Sequence, residues 1–297
     1  MLKRILYFSN PFYLSTKNHQ LLINNKETGE ISQAVIEDLG FVILDNQQIT
    51  ITQSVVQELS DNNVALVFCN KKHLPCSMLF HLDTNKIHNE VFRNQIKATE
   101  ALKKNLWKQI IEAKIKNQAL MLKKLGKEYK TMLIYASNVK TGDIGMQEAL
   151  AARYYWKNIF DIYNFRRERF GLPPNPSLNY GYAILRAAVA RALVGSGLIP
   201  TLGIHHHNKY NAYCLADDIM EPYRPFVDNI VVMQMKQHTD YHNITKQRKT
   251  EFLQALTCDV KFTKVKRPLM VGLSITTASL ARCFAGEQKK IDYPVLL

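Results

Sequence analysis

Two segments of this chain concentrate the side chains that phosphodiester chemistry requires. One runs Gly142-Asp143-Ile144-Gly145-Met146-Gln147-Glu148-Ala149, with Glu148 on the first turns of an expected helix. The other carries three consecutive imidazoles, His205, His206 and His207, followed by Asp217, Asp218 and Glu221. Asp218 and Glu221 are three apart, so a helical turn brings them to one face. Breaking or joining a phosphodiester in water calls for a Lewis acid on the phosphoryl oxygen and charge relief at the attacking and leaving oxygens. Oxygen ligands suit Mg²⁺ or Mn²⁺, and an imidazole tilts the set toward Mn²⁺. Plainer readings stand beside this one. The histidines also suit a surface loop, the acids at 217–221 also suit a helix N-terminus, and Glu148 also suits a helical ion pair, although its i+4 neighbour is Ala152. A zinc hydrolase fits less well, because three adjacent histidines lack the i, i+4 pair of H-E-x-x-H.

The elements that must position these residues fall into two regions. Residues 1–84 read as β-rich: Ile5 to Phe8, Gln20 to Ile23, Phe41 to Leu44 and Val64 to Cys69 are short β-prone runs between polar turns. Thr52 to Leu59 reads as one helix among them, with Thr52 as N-cap and Val55, Val56 and Leu59 on one face. From Asn85 to Leu125 there is no proline or glycine, and apolar residues recur at helical spacing, which predicts one long helix or two nearly continuous ones. Its polar face is basic: Arg93 to Lys130 holds eleven Lys/Arg against three acids. Lys103, Lys104 and Lys108 on that face are candidates for phosphate contact, a solvated helix face being the alternative.

The remainder reads as helical. Asp143 is placed to cap a helix from Ile144 to about Tyr163, Arg166 to Pro176 is a proline-rich loop, and Tyr182 to Val194 is an Ala-rich helix ending near Gly195. Glu221 to Pro225 reads as a proline-bounded turn before a helix capped by Asp228, and Ile244 to Leu256 and Ser274 to Phe284 as two further helices. The predicted class is α+β: a small N-terminal β domain, 1–84, then a larger all-α catalytic domain, 85–297.

The net charge of +14 over 297 residues favours a polyanionic partner. No window offers an apolar run long enough for a membrane span. Ser9, Asn10 and Pro11 interrupt the apolar N-terminus too early for a signal peptide, so it reads as a first strand. The five cysteines form no CxxC pair, which argues against a zinc ribbon or disulfide framework and fits a reducing cytoplasm.

The runs Leu178-Asn179-Tyr180-Gly181-Tyr182-Ala183-Ile184-Leu185 and Leu215-Ala216-Asp217-Asp218-Ile219-Met220-Glu221-Pro222-Tyr223-Arg224-Pro225-Phe226-Val227-Asp228 resemble signature blocks of the CRISPR-associated integrase that acquires new spacers. Glu148, followed by Ala151, Ala152, Arg153 and Tyr155-Trp156, resembles its first acidic block, and the form of the last block is most like the type II branch. The resemblance implies a metal site of Glu148, a histidine and Glu221, with Asp218 accompanying. The family's glycine-to-histidine spacing selects His206, with His205 the alternative. Many relatives carry aspartate where Glu221 stands, and either carboxylate ligates. The resemblance further implies a homodimer joined through the β domains and a heterohexamer with a small second adaptation protein. Double-stranded DNA with free 3′ ends would be joined to a CRISPR repeat by transesterification, the DNA 3′-oxygen being the nucleophile. No Gly-x-Ser-x-Gly or Cys/His nucleophile motif is present, in keeping with that chemistry. Two rivals remain: a structure-selective nuclease using water on branched DNA, and a non-catalytic DNA-binding scaffold.

Overall fold

The computed structural model describes residues 3–71, 73, 75–79, 86–237, 243–263 and 265–297. The chain forms two compact units, Met1–Thr84 and Asn85–Leu297. The start of the expected long helix, at Asn85, lies outside the described residues.

The first unit holds two four-stranded sheets. Strand β1 (Arg4–Phe8) leads into a meander of β2 (Phe12–Lys17), β3 (Gln20–Asn25) and β4 (Ile31–Val35). After it come β5 (Leu39–Leu44), the short β6 (Thr50–Ile51), helix α1 (Gln53–Asp61), β7 (Ala65–Cys69) and β8 (Pro75–Leu79). One sheet has the order β1-β5-β7-β8, with the first three parallel and β8 antiparallel; the other runs β4-β3-β2-β6. The β2–β3 turn is made by Asn18 and His19, both left-handed at φ 51° and 58°. A two-residue hairpin of that kind matches the twist of its strands, which is why an Asn stands there. Leu14, Leu21, Ile36, Val42, Val55, Leu59 and Leu66 join both sheets and α1 in one core.

Four of these strands lie where the β-prone runs predict them. The others escape a reading by local pattern, because β2 and β4 mix polar and apolar residues without a clean period. Thr52 does precede α1, but its hydroxyl pairs with the Ser54 hydroxyl at 2.9 Å and makes no side-chain cap. Every residue of β5 is buried within the single chain, so its apolar run needs no partner molecule to cover it.

The second unit is built around a central helix. Helix α2 (His88–Lys97) is followed at Ala98–Thr99 by α3 (Glu100–Lys124), whose first turn is capped by the Thr99 hydroxyl accepting from the Leu102 N–H. Of the two expected forms, one long helix or two nearly continuous ones, the structure has the second. Helix α3 differs from a surface amphipathic helix: Leu106, Trp107, Ile110, Ile111, Lys114, Ile115, Asn117, Gln118, Met121 and Leu122 are all buried. Next come α4 (Lys130–Ser137), α5 (Gln147–Ile159), α6 (Asn175–Gly195) and α7 (Cys214–Met220). A single 3-10 turn at Glu221–Tyr223 then leads directly into α8 (Arg224–Gln237).

The expected turn with Asp228 as cap is corrected here: Asp228 sits inside α8 and is buried. Pro222 and Pro225 stop nothing, because each occupies the first residues of a helical segment, where no N–H is required. Helices α9 (Lys246–Gln254) and α10 (Leu269–Ala285) complete the unit. Between them lies a hairpin, β9 (Asp259–Lys261) with β10 (Lys266–Pro268), so the unit is not purely helical. Among the described residues, no helix is long and apolar enough to cross a membrane.

Candidate active site

Helix α5 presents Glu148 in its first turn. Asp143 fixes that turn from outside: its Oδ1 accepts the Gln147 N–H at 2.9 Å and its Oδ2 the Glu148 N–H at 3.0 Å. Two of the donors that any helix start leaves unpaired are thereby satisfied. Asp143 is thus not the N-cap expected of it: the helix begins at Gln147 rather than Ile144 with Met146 at the cap position, and Asp143 serves the same donors from three residues further back.

The histidine loop is tied at both ends. Buried Gln95 on α2 donates to the carbonyls of Ile199 and Leu202 and accepts the Ile199 N–H at 2.9 Å. Downstream, Asp218 on α7 accepts the backbone N–H groups of Ile204, His205 and His206 at 2.6, 2.9 and 3.3 Å. It also pairs with Nδ1 of His206 at 2.5 Å. Gly203 permits this close wrapping: a Cβ there would stand 2.3 Å from the His206 carbonyl oxygen and 3.0 Å from Asp218 Oδ2. The bond to Asp218 raises the His206 pKa above the ordinary value, more than burial lowers it. His205 behaves differently. It stacks on the buried Trp107 of α3, with ring centroids 4.1 Å apart and planes 6° apart, and burial lowers its pKa. Trp107 also meets the edge of His206 at 5.9 Å.

Lys114, seven residues after Trp107 on α3, joins the two halves of the site. Its buried Nζ lies 2.6 Å from Glu148 Oε1 and 2.6 Å from Glu221 Oε2. The other oxygen of Glu221, Oε1, pairs with Arg224 at 2.8 Å. Burial pushes the Glu221 carboxyl up, but Arg224 and Lys114 outweigh it and hold the group below its usual range. Burial likewise works against the Lys114 ammonium, and Glu221 and Glu148 more than compensate. Asn117, one turn further along α3, donates to the carbonyl of Pro222 at 2.7 Å and so pins the turn that carries Glu221.

Behind Glu221 lies a second buried network. Tyr155 donates to Asp228 Oδ2 at 2.8 Å and Tyr182 donates to its Oδ1. The Tyr182 ring carries Arg224 at 5.0 Å and Arg167 at 5.4 Å from its centroid. Burial raises the Asp228 carboxyl to about 6 despite the two hydroxyls and two guanidinium groups.

The structure therefore brings Glu148 and Glu221 onto one cation and sets His206 on Asp218, close enough that its imidazole helps to lower the Glu221 pKa. Among the described residues, no three His, Cys, Asp or Glu side chains stand together as a group that would hold a metal ion; an ammonium lies between the carboxylates instead. The donor chemistry still suits Mg²⁺ or Mn²⁺, since two carboxylates share a place where a cation is already held.

Sequence reasoning misses Lys114, Trp107 and Arg224. By charge alone Lys114 belongs with the basic polar face, yet it is buried. Of the candidates for phosphate contact on that face, Lys103 pairs with Glu100 at 3.0 Å and Lys108 with Glu112 at 3.7 Å. Lys104 is exposed, and its stem passes Gly142, where a Cβ would meet Lys104 Cγ at 3.4 Å.

Comparison with known proteins places this chain in a family. A "CRISPR-associated endonuclease Cas1" from Neisseria meningitidis serogroup C (strain 8013) is 35% identical over 236 residues, covering 79% of this chain and 76% of that protein. A solved structure titled "Casposase bound to integration product" superposes with a TM-score of 0.80 at 19% identity, covering 98% of this chain and 93% of the other. A "Cas6-RT-Cas1--Cas2 complex" has a TM-score of 0.69 at 19% identity, covering 97% of this chain and 35% of that one; at such identities the likeness is one of fold. The family model described as "CRISPR associated protein Cas1" matches residues 5–255, and the chain belongs to that family.

Proposed function

We propose that this protein is a metal-dependent DNA integrase of CRISPR adaptation, joining the 3′ ends of short duplex DNA to a CRISPR repeat by transesterification. The observation that carries the reading is the convergence of Glu148 and Glu221, from separate helical segments, onto one buried cation beside a His206–Asp218 pair.

In this reading Glu148, Glu221 and Nε2 of His206 hold the ion. At that place Mg²⁺ or Mn²⁺ would supply Lewis-acid polarisation and charge relief at the scissile phosphate. Asp218, whose oxygens are engaged by the loop backbone and by Nδ1 of His206, fixes the imidazole so that Nε2 is the ligating nitrogen. Its part is to orient a ligand, and any contribution of its own to the ion is secondary. Trp107 holds His205 flat against α3, which favours His206 over His205 as ligand.

The nucleophile is the DNA 3′-hydroxyl, so no protein nucleophile takes part. The net charge of +14 suits a polyanionic substrate, and of Lys103, Lys104 and Lys108 on the α3 face, Lys104 is the exposed one. The names of similar structures, which mention an integration product and a Cas1–Cas2 complex, support DNA and a small adaptation protein as partners. We assign the type II branch from the form of the 215–228 block alone.

The test combines purified protein, its small partner, a short duplex with 3′-hydroxyl ends and a supercoiled plasmid bearing a CRISPR repeat. Covalent joining that requires Mg²⁺ or Mn²⁺ is the expected result. Hydrolysis of branched DNA without joining would replace the reading with the structure-selective nuclease. DNA binding with neither reaction would leave only a scaffold.

A further inference from the structure

We infer that Lys114 is a built-in placeholder cation: its ammonium holds Glu148 and Glu221 in a metal-ready arrangement and competes with the divalent ion for their oxygens. The inference rests on the metal site proposed above.

The arrangement is specific. Lys114 occupies the buried face of α3, flanked along the helix by Ile110, Ile111, Ile115 and Gln118. A lysine there is costly unless it is paired, and it is paired twice, at 2.6 Å to each carboxylate. Without it, Glu148 and the buried Glu221 would face each other as like charges, and one of them would have to protonate or turn away. The ammonium thus does in the metal-free protein what a divalent ion does in a loaded one: it cancels the repulsion between two acids delivered by different helices.

The supports around the site do not depend on this pairing. Asp143 fixes the Glu148 turn, and Asn117 fixes the Glu221 turn through the Pro222 carbonyl. Arg224 retains the other oxygen of Glu221. Replacing Lys114 therefore alters the charge between the two acids while their backbones stay anchored. Lys114 is a positioning residue in this scheme: it acts through the carboxylates and needs no contact with DNA.

Competition has a definite sign. A ligand that must displace an internal cation binds more weakly than one that meets free carboxylates. Lys114→Met keeps much of the aliphatic stem and removes the charge. Mn²⁺ binding, followed by disappearance of the free-ion paramagnetic resonance signal, should tighten by about tenfold or more in Lys114→Met, on the scale of one unit charge removed at contact distance. The thermal midpoint without metal should fall, and the rise on adding Mn²⁺ should exceed that of the unaltered protein. Lys114→Gln, which keeps a donor between the acids but no charge, carries the same test if the methionine variant does not fold. Mn²⁺ affinity unchanged or weakened in a folded variant would overturn the placeholder role. Absence of Mn²⁺ binding in the unaltered protein as well would instead overturn the metal-site reading beneath it.

Discussion

Asp218 and His206 are joined twice: the carboxylate accepts the His206 backbone N–H at 3.3 Å and pairs with its Nδ1 at 2.5 Å. Because the same carboxylate also receives the N–H groups of Ile204 and His205, it serves at once as the folding template of the loop and the orienting partner of the ring. Asp218→Ala should leave three loop N–H groups without their acceptor and lower stability by about 3 kcal/mol or more. Asp218→Asn should keep more of the fold yet loosen the ring, weakening Mn²⁺ binding by about 10- to 100-fold. Thermal denaturation and metal titration of the two variants separate these effects. An Asp218→Asn protein with unaltered metal affinity would contradict the orienting role.

Glu148→Ala, His206→Ala and Glu221→Ala should each abolish metal-dependent joining, by about a thousandfold or more in rate, since each removes a ligand on which transition-state charge relief depends. His205→Ala should retain much more activity, its deficit arising from the missing stack on Trp107. Single-turnover joining assays rank the four. Inactivity of His205→Ala beside an active His206→Ala would exchange the two histidines.

Much of this site is legible in the sequence because its acids and imidazoles stand in two short blocks, 142–149 and 203–221, where loops run into helix starts. Lys114 is not, because it lies among eleven basic residues and looks like its neighbours when only charge is counted. Periodicity holds the clue. Lys114 falls seven residues after Trp107 and four after Ile110, on the stripe that the structure buries. Asp228 escapes for a different reason: Pro222 and Pro225 read as breakers, whereas both sit in opening turns that tolerate them. In the first unit the apolar runs of β1, β3, β5 and β7 identify themselves, while the mixed strands β2 and β4 depend on partners that no local pattern encodes.

The buried carboxyl of Asp228 makes stability depend on pH. Its folded value is raised from 3.8 to about 6, chiefly by burial. A raised carboxyl favours the fold below the unfolded value, and that contribution is lost as pH rises through the folded one. Relative to Asp228→Asn, the unaltered protein should lose about 3 kcal/mol of stability between pH 4 and pH 7. Urea unfolding of the pair across that range measures the difference. A constant gap would show that the two tyrosine hydroxyls and the guanidinium groups fully offset burial.

Charge reversal at Lys103, Lys104 and Lys108 should weaken duplex binding and flatten its salt dependence by about 0.9 in log–log slope for each DNA phosphate no longer neutralised. Lys103 and Lys108 already have acidic neighbours, so Lys104→Glu should account for most of the change. Equal slopes for the unaltered and triply reversed proteins would return this face to plain solvation.

Assembly is testable at a defined edge. The apolar strand β5 is buried within one chain, so it offers nothing to a second copy. Strand β4 is different. Among the described residues it closes one end of its sheet and pairs with β3 alone, and it exposes Ile31 at 65% and Val35 at 42%. An edge strand with exposed β-branched residues is open to pairing or packing by another chain, and β4 carries no Lys or Pro to discourage it. If the homodimer implied by the family resemblance uses the first unit, this edge is its best candidate surface. The protein should then run at about twice 34.2 kDa without DNA or metal, because apolar contact rather than site ions would hold the pair. Ile31→Lys with Val35→Lys should give a monomer that still binds Mn²⁺, since the candidate ligands all belong to the second unit. That monomer should insert single DNA ends but fail at coupled insertion of two. Light scattering of the double variant, read beside a two-end integration assay, decides the matter: a monomeric unaltered protein with coupled insertion intact would refute the dimer, and a dimeric double variant would move the interface away from β4.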